Sequence, residues 1–288
     1  MSDHNPLLIS VIIPTCHRND LLAKCLDCLA PGVQTLSPEQ YEVIVTDDGS
    51  RSTAQQMVQE GYPWAKWTEG PHRGPAANRN HGAKIASGEW LAFTDDDCLP
   101  EPGWLFALAG AMNGPEQALE GAIHPVGNLD QDLAECPVNL TGGYFWSANI
   151  AIQRTLFQQI NGFDPTYLLA AHEDQDIKIR LESKTAIIFV TQAVVLHPVR
   201  ILSLKKKLVE IPLRTTAWAK HAKKNCSELG YISDSDILAT GLKSQIISVG
   251  RNLVRRHFKS VIVGLSTIAI GLPVAWFYLR QPRPKGAS

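Results

Sequence analysis

Cysteine is scarce and oddly placed. The six cysteines (Cys16, Cys25, Cys28, Cys98, Cys136 and Cys226) show no double-pair spacing of the kind a structural zinc site needs. Cys25 and Cys28 form a single C-x-x-C inside an expected helix from Asn19 to Ala30, without a second pair, and read as structural. The amino terminus lacks the basic start and apolar run of a signal peptide, so the chain is expected in a reducing cytoplasm. No G-x-G-x-x-G follows the first strand-like run, which argues against a dinucleotide oxidoreductase. Pro14-Thr-Cys-His-Arg18 is not the glycine-rich basic cradle of a nucleotidyltransferase either. Low-complexity runs and internal repeats are missing. With 44% hydrophobic and 19% charged residues in 288, the chain can bury a globular core of one large domain with an appendage.

A net charge of -1 conceals a strong asymmetry. Residues 198–288 hold 16 Lys and Arg against 4 Asp and Glu, leaving 11 against 24 for residues 1–197. An acidic head suits a cation, and a basic tail suits an anionic membrane surface. No nucleic-acid partner is expected.

Leu8-Leu-Ile-Ser-Val-Ile-Ile-Pro14 is a continuous apolar run closed by proline, the pattern of a strand buried on both faces of a parallel sheet. Glu42–Thr46 gives a second such run, ending at Asp47-Asp48-Gly49-Ser50, and Glu89–Thr94 a third, ending at Asp95-Asp96-Asp97. Helices are expected near 19–30, 52–60 and 75–86, with a loop rich in glycine and proline before the last. Strands alternating with helices imply an α/β fold with a parallel sheet, whose ligands bind beyond the carboxyl ends of the strands. Both acidic clusters therefore point into one crevice. After about residue 116 the pattern becomes mixed. Strands are expected at 118–125 and 147–152, a helix opens at Arg154, another covers about 174–183, and two short strands cover 186–190 and 193–196.

Beyond His197 the chain turns basic and helical. Val261–Leu279 supplies 19 uncharged residues, near the lower limit for crossing a hydrocarbon core of about 30 Å. Three readings stay open: a helix that spans, one that lies in the interface, and a soluble packing helix. Gly264, Gly271 and Pro273 weaken the helix, yet membranes tolerate them.

Three adjacent aspartates at a strand end repel one another unless their pKa values rise or a cation binds. Carboxylate oxygens suit Mg²⁺ or Mn²⁺, ions that bridge protein carboxylates to substrate phosphates.

The ordered set Ser10-Val-Ile-Ile-Pro-Thr15, Val43-Ile-Val-Thr-Asp-Asp-Gly-Ser50, Arg79-Asn80 with Gly82, and Ala92-Phe-Thr-Asp-Asp-Asp97 resembles family 2 glycosyltransferases over roughly residues 8–200. The resemblance implies a GT-A fold: a Rossmann-like, mostly parallel nucleotide-binding half (about 1–115) and a mixed acceptor-binding half (about 116–200); beyond it, the basic composition and the 261–279 run make 201–288 a helical, membrane-associating tail. It implies an inverting, metal-dependent transfer of a sugar from a nucleotide-sugar donor to a saccharide or lipid-linked acceptor. Pro14 and Thr15 would lie beside the nucleotide, and Asp48 would accept from a uracil N–H, favouring a UDP-sugar. Arg79, Asp95 and Asp96 would contact the nucleotide or its phosphates, and Asp97 the divalent metal. His197, at a strand end, is either a further metal ligand or structural. His172-Glu-Asp174 resembles the pair whose aspartate, here Asp174, is the general base, with Glu173 beside it on the acceptor. A helix amino terminus there favours an ionised carboxylate. Gly142-Gly-Tyr-Phe-Trp146 and Asn149 could line the acceptor site, with Trp146 equally able to be core. The chain departs from the family at Cys16, where members often carry an aromatic residue that stacks on the base. The basic tail and the resemblance together suggest surface polysaccharide or glycolipid synthesis at the cytoplasmic face of the inner membrane.

Overall fold

The computed structural model describes residues 8–51 and 53–281. Contacts divide the chain into two units, Met1–Gly127 with Cys136–Pro198, and Asn128–Glu135 with Val199–Ser288.

The first unit opens with β1 (Ile9–Thr15), α1 (Asn19–Leu29), β2 (Tyr41–Asp47), α2 (Gln55–Gly61), β3 (Ala65–Glu69), α3 (Pro75–Ile85) and β4 (Trp90–Phe93). Next come β5 (Leu99–Pro100), α4 (Trp104–Ala111) and β6 (Ala118–Val126). The chain then passes through β7 (Ala134–Glu135) of the second unit and returns for β8 (Ile150–Gln153), α5 (Arg154–Gln159), α6 (Glu173–Glu182) and β9 (Ile187–Pro198). Eight strands form one sheet in the order β3-β2-β1-β4-β8-β6-β9-β5. The first four are mutually parallel, whereas β8 runs antiparallel to both β4 and β6.

Every residue of β1 and β2 is buried, as the unbroken apolar runs require of strands covered on both faces. Alternation sends Ile9, Val11 and Ile13 of β1 to one face, packed with Leu22, Leu26 and Leu29 of α1 and Trp104 of α4. Ile12 faces the other way, into a cluster with Ala76 and Ala83 of α3, Phe93, Phe157 and Ile177. The strand order reverses between β1 and β4, so the topological switch point lies beyond Thr15 and Phe93, at the head of the Asp95–Asp97 run.

Two expectations change. The glycine- and proline-rich stretch before α3 contains β3, paired with β2 from Val43↔Ala65 to Asp47↔Glu69. The two short strands expected over 186–196 are one twelve-residue strand, β9, whose pairing with β6 shifts register between Gly121 and Ala122; this irregularity carries the ladder across polar Thr191-Gln192. Helix α2 begins at Gln55, and Ser52, where that helix was expected to open, lies outside the described residues.

The second unit contains β7 paired with β10 (Arg200–Ile201), and the helices α7 (Leu204–Lys224), α8 (Asp234–Val254), α9 (Phe258–Ser266) and α10 (Leu272–Leu279). A π turn over Thr267–Gly271 joins α9 to α10, with the Leu272 N–H reaching Thr267 O. The wide turn lies just before Pro273, whose ring would otherwise press on the preceding carbonyls, so the helix continues unbroken. Among the described residues, Phe258–Leu279 is the one helix long and apolar enough to cross a membrane.

Candidate active site

The end of β1 and the end of β4 meet at the switch point. Thr15 Oγ1 donates to Asp96 Oδ2 at 2.7 Å, so the hydroxyl expected beside the nucleotide is tied to the acid expected to face it. Pro14 sits in register with Thr46, and Asn78 of α3 fastens the two strand ends by donating to Thr46 O at 2.8 Å and Thr15 O at 3.4 Å.

The two aspartates after β2 divide. Asp47 turns inward and accepts from Gly49 N at 2.8 Å, Ala54 N at 2.6 Å and Trp67 Nε1 at 3.3 Å, which caps the following loop. It therefore does not share the crevice expected of both acid groups. Asp48 is held at the rim, accepting from His72 N at 2.9 Å and Gly74 N at 3.1 Å. That loop needs glycine twice. Gly74 has φ +86°, and a Cβ at Gly70 would collide with the Asp48 carboxylate and the Asn78 amide oxygen.

The three aspartates after β4 also have separate surroundings. Asp95 accepts from Arg79 Nη2 at 2.7 Å. Burial raises its pKa, but the charge and hydrogen bond of Arg79 outweigh this and hold it below the usual value. Asp96 is fully buried, and burial, opposed by Arg18 and Thr15, pushes it up to about 7. Arg18 lies over both remaining carboxylates. Its Nε is 3.1 Å from Asp96 Oδ2, its Nη1 3.1 Å from Asp97 Oδ2, and its Nη2 pairs with Asp96 Oδ1. Sequence reasoning missed Arg18, although a base three residues past the first strand end and an acid triplet past another was a usable signal.

His197 Nε2 faces Asp97 Oδ1 at 3.5 Å, and both side chains are buried. On the other side of the ring, Nδ1 lies 2.9 Å from the Pro198 carbonyl oxygen, which can only accept. A hydrogen bond from Nδ1 to that carbonyl would leave the Nε2 lone pair for a cation shared with Asp97; Cys136 Sγ also lies 3.5 Å from Nδ1. Asp97, Cys98 and His197 bring ligand atoms within 4.8 Å of one another. A carboxylate and an imidazole together suit a divalent transition ion such as Mn²⁺, whereas the carboxylates alone would serve Mg²⁺. Cys98 Sγ points instead to Ala148 O at 3.9 Å, and burial raises its pKa well above the usual value, so it stays a thiol. On this donor chemistry the residues present fit a divalent cation.

Glu173 and Asp174 open α6, with His172 at the N-cap in the left-handed region at φ +69°. Arg79, 2% exposed, joins this pair to the β4 end: the guanidinium that holds Asp95 also donates to Glu173 Oε1 at 3.1 Å. Both acidic motifs are thereby fixed around one buried cation. The Asp174 pKa is pushed up to about 7, chiefly by burial and then by the charge of Glu173, against the pull of Arg79. The helix terminus expected to favour ionisation is thus outweighed. Five carboxylates (Asp95, Asp96, Asp97, Glu173, Asp174) face two guanidiniums, an imbalance that favours an added cation.

The Gly142–Trp146 segment is strained and firmly held. Gly142, Gly143 and Phe145 all have positive φ. Glu120 of β6, buried on a strand that otherwise reads as apolar, accepts from Phe145 N at 2.8 Å, Tyr144 N at 3.2 Å and also Gly143 N. This acid too escaped the sequence reading, and a lone glutamate in an apolar strand was the only signal. Tyr144 and Trp146 stack with ring centroids 5.9 Å apart, and the buried Trp146 indole N–H finds no hydrogen-bond partner among the described residues. Asn149, expected to line the acceptor site, has its side chain engaged within the sheet. It donates to Ala122 O and Ala193 O at 2.8 Å each and accepts from Trp104 Nε1 at 2.8 Å, which leaves no donor for a sugar. Its position opposite the β6–β9 irregularity explains this structural use.

The description Glycosyl transferase family 2 matches residues 10–164, more than half of the chain. Validoxylamine A glucosyltransferase of Streptomyces hygroscopicus subsp. limoneus is 29% identical over 227 residues, covering 63% of this chain and 49% of that protein. The chain thus spans about half the length of this curated relative. The GalNAc(5)-diNAcBac-PP-undecaprenol beta-1,3-glucosyltransferase of Campylobacter jejuni is 33% identical over 125 residues, covering 42% of this chain and 37% of that one. Among solved structures, the mannosyltransferase PcManGT of Pyrobaculum calidifontis, in complex with GDP-Man and Mn²⁺, superposes with a TM-score of 0.61 at 16% identity, covering 97% of this chain and 89% of that one. At this identity the likeness speaks for the fold.

Proposed function

The chain belongs to glycosyltransferase family 2, and from that premise we propose that it moves a sugar from a nucleoside-diphosphate sugar to a hydroxyl of a saccharide or lipid-linked acceptor, with inversion. One observation carries the reading. A single buried guanidinium, Arg79, clamps Asp95 at the β4 end and Glu173 at the α6 start, so the acids suited to a donor and the acid suited to a proton share one crevice.

Thr15, Asp48 and Asp96 are the candidates for the nucleoside. The Asp48 carboxylate keeps accepting capacity beyond its two backbone donors, which suits an imide N–H such as that of uracil. Asp97 and His197 would hold a divalent cation, with Asp96 at its side; when bound, such an ion acts as a Lewis acid on the departing diphosphate. Arg18, 37% exposed and already over Asp96 and Asp97, can swing to the diphosphate once another cation takes its place. Cys16 is exposed and offers no aromatic face, so the base is held by hydrogen bonds rather than by stacking there. Asp174 takes the proton of the acceptor hydroxyl as that oxygen attacks the anomeric carbon from the side opposite the leaving group. A carboxylate poised near neutrality is suited to this role. Tyr144, which is exposed, and the half-buried Trp146 stacked on it offer an aromatic surface to the acceptor.

The Campylobacter relative's name specifies an undecaprenol-linked acceptor. Together with the basic, apolar second unit, this supports a lipid-linked acceptor presented at the cytoplasmic leaflet. The test is transfer from radiolabelled UDP-, GDP- and dTDP-sugars to bacterial lipid extracts, with the product's anomeric configuration read by NMR. Product of inverted configuration that disappears in Asp174→Asn supports the reading. Retained configuration, or full activity in that variant, contradicts it.

A further inference from the structure

Among the described residues, the second unit carries an apolar surface that its own fold leaves uncovered. In the Phe258–Leu279 helix, Val261, Gly264, Gly271, Ala275 and Leu279 form the buried stripe. The opposite face bears Phe258, Ile262, Leu265, Ile270, Trp276 and Phe277, with Trp276 46% and Phe277 66% exposed. A soluble helix would present polar residues there. Leu238, Ala239 and Leu242 of α8 join Leu272, Pro273 and Trp276 in an open groove of about 530 Å³, almost wholly apolar, on this same side.

The neighbours of this helix decide how such a surface can meet a membrane. Helix α7 runs alongside it in the same direction. Ile211 and Thr215 flank Gly271, Ala219 and Ala222 share a cluster with Ala275 and Leu279, and Lys223 Nζ donates to the carbonyls of Leu279 and, at 2.6 Å, Gln281. At the other end, the Asp132 carboxylate accepts from Lys259 N at 2.8 Å and Ser260 N at 2.9 Å. Both ends are thus tied to polar partners. Level with Gly271, midway along the helix, α7 carries Glu210 and Arg214. If the helix crossed a bilayer in this packing, those charges would enter the hydrocarbon with it.

We propose that the second unit is a monotopic membrane anchor: the Phe258–Leu279 helix lies in the plane of an anionic bilayer, Phe258, Leu265, Trp276 and Phe277 inward, and does not cross. The charge selects the occupant. Residues 198–288 carry 16 Lys and Arg against 4 Asp and Glu, which draws them to anionic lipid and opposes stacking against a second copy of the same face. The Arg280 guanidinium, 4.0 Å from the Trp276 ring centroid, caps an aromatic side chain of the kind that anchors at headgroup depth.

This inference rests on the membrane association proposed above, and two readouts separate their failures. The full chain is pelleted with vesicles of phosphatidylcholine and phosphatidylglycerol, and with phosphatidylcholine alone. A copy tagged after Ser288 is expressed in bacteria, and intact and lysed spheroplasts are treated with protease. The proposal expects binding to the anionic vesicles and a fall of about tenfold or more in the bound fraction for Trp276→Asp/Phe277→Asp, with nucleotide binding unchanged. It also expects a tag cleaved only after lysis. Cleavage of the tag in intact spheroplasts, with the protein still membrane-bound, would overturn the in-plane arrangement and leave the membrane association standing. Failure to pellet with any vesicle would overturn both, as would a soluble dimer in light scattering that the double variant dissolves.

Discussion

The acids after β4 and the acids opening α6 are alike in composition and burial, yet they differ in the company they keep. Asp96 and Asp97 face Arg18, which is part-exposed, and an imidazole whose Nδ1 lies against a backbone carbonyl. Among the described residues Glu173 pairs with Arg79, which is buried and also holds Asp95, and Asp174 feels the same charge without an ion pair of its own. Where the counter-charge is removable and a nitrogen ligand stands by, the cluster can exchange one cation for another. Where the counter-charge is buried and shared, a spare carboxylate is suited to a proton instead. On the proposed reading, partners more than acidity separate a cation site from a proton site, since burial raises Asp96 and Asp174 alike to about 7.

The sharpest way to break this distinction is a pair of conservative variants. Asp174→Asn is expected to lower the transfer rate by about 10²–10⁴-fold, the range of a general base, while nucleotide affinity stays unchanged. Asp97→Asn is expected to abolish the metal dependence of nucleotide binding. Equal loss of nucleotide binding in both would erase the difference between the sites.

Arg79→Ala removes the cation both clusters share and leaves Asp95 and Glu173 buried without a partner. A loss of about 3–5 kcal/mol in denaturant unfolding is expected, with Arg79→Lys intermediate because a single ammonium cannot span two carboxylates. A loss under about 1 kcal/mol would mean that the clamp is not structural.

The pH profile sharpens the proton site. Asp174 has a pKa of about 7 against an ordinary 3.8, so transfer should fall about tenfold per pH unit below neutrality. Stability has the opposite sign. A carboxyl whose folded pKa is raised holds its proton more tightly in the native state, so metal-free protein should lose stability as pH rises from about 4 towards 7. A flat rate between pH 5 and 7 would exclude Asp174 as the titrating base.

The smallest effects test what lies around the two sites. Asn149→Ala should cost about 1–3 kcal/mol of stability through orphaned backbone carbonyls and the Trp104 indole, with kcat per folded molecule unchanged. Arg18→Gln should tighten Mn²⁺ binding by a few-fold, because a competing charge is removed; weaker binding would mean that Arg18 assists the cation.

Much of this was legible in the residues because the signals are local. Unbroken apolar runs gave β1, β2 and β4, and turn acids marked their carboxyl ends. Long-range partnerships were not legible. Nothing near Asp47 says that its carboxylate will cap a loop while that of Asp48, one residue on, stays at the rim; the pleat and the approach of Gly49 and Ala54 decide it. Strand β3 was hidden because only its pairing with β2, not its composition, makes it a strand. Asn149 reads as a ligand in any list of polar residues near an active site, and only the β6–β9 irregularity shows that its amide mends the sheet. Arg18 and Glu120 follow the same rule: each matters for residues about 80 and 25 positions away, respectively.

Calorimetric titration of the purified chain with UDP, GDP and dTDP, each with Mn²⁺ and again with EDTA, tests the central assignment most directly. Binding of one nucleotide in Mn²⁺ that is lost in EDTA and in Asp97→Asn, but retained in Asp174→Asn, is the result expected. Equal binding with and without the metal, or binding of none of the three, would contradict the placement of a cation and nucleotide site at Thr15, Asp96, Asp97 and His197.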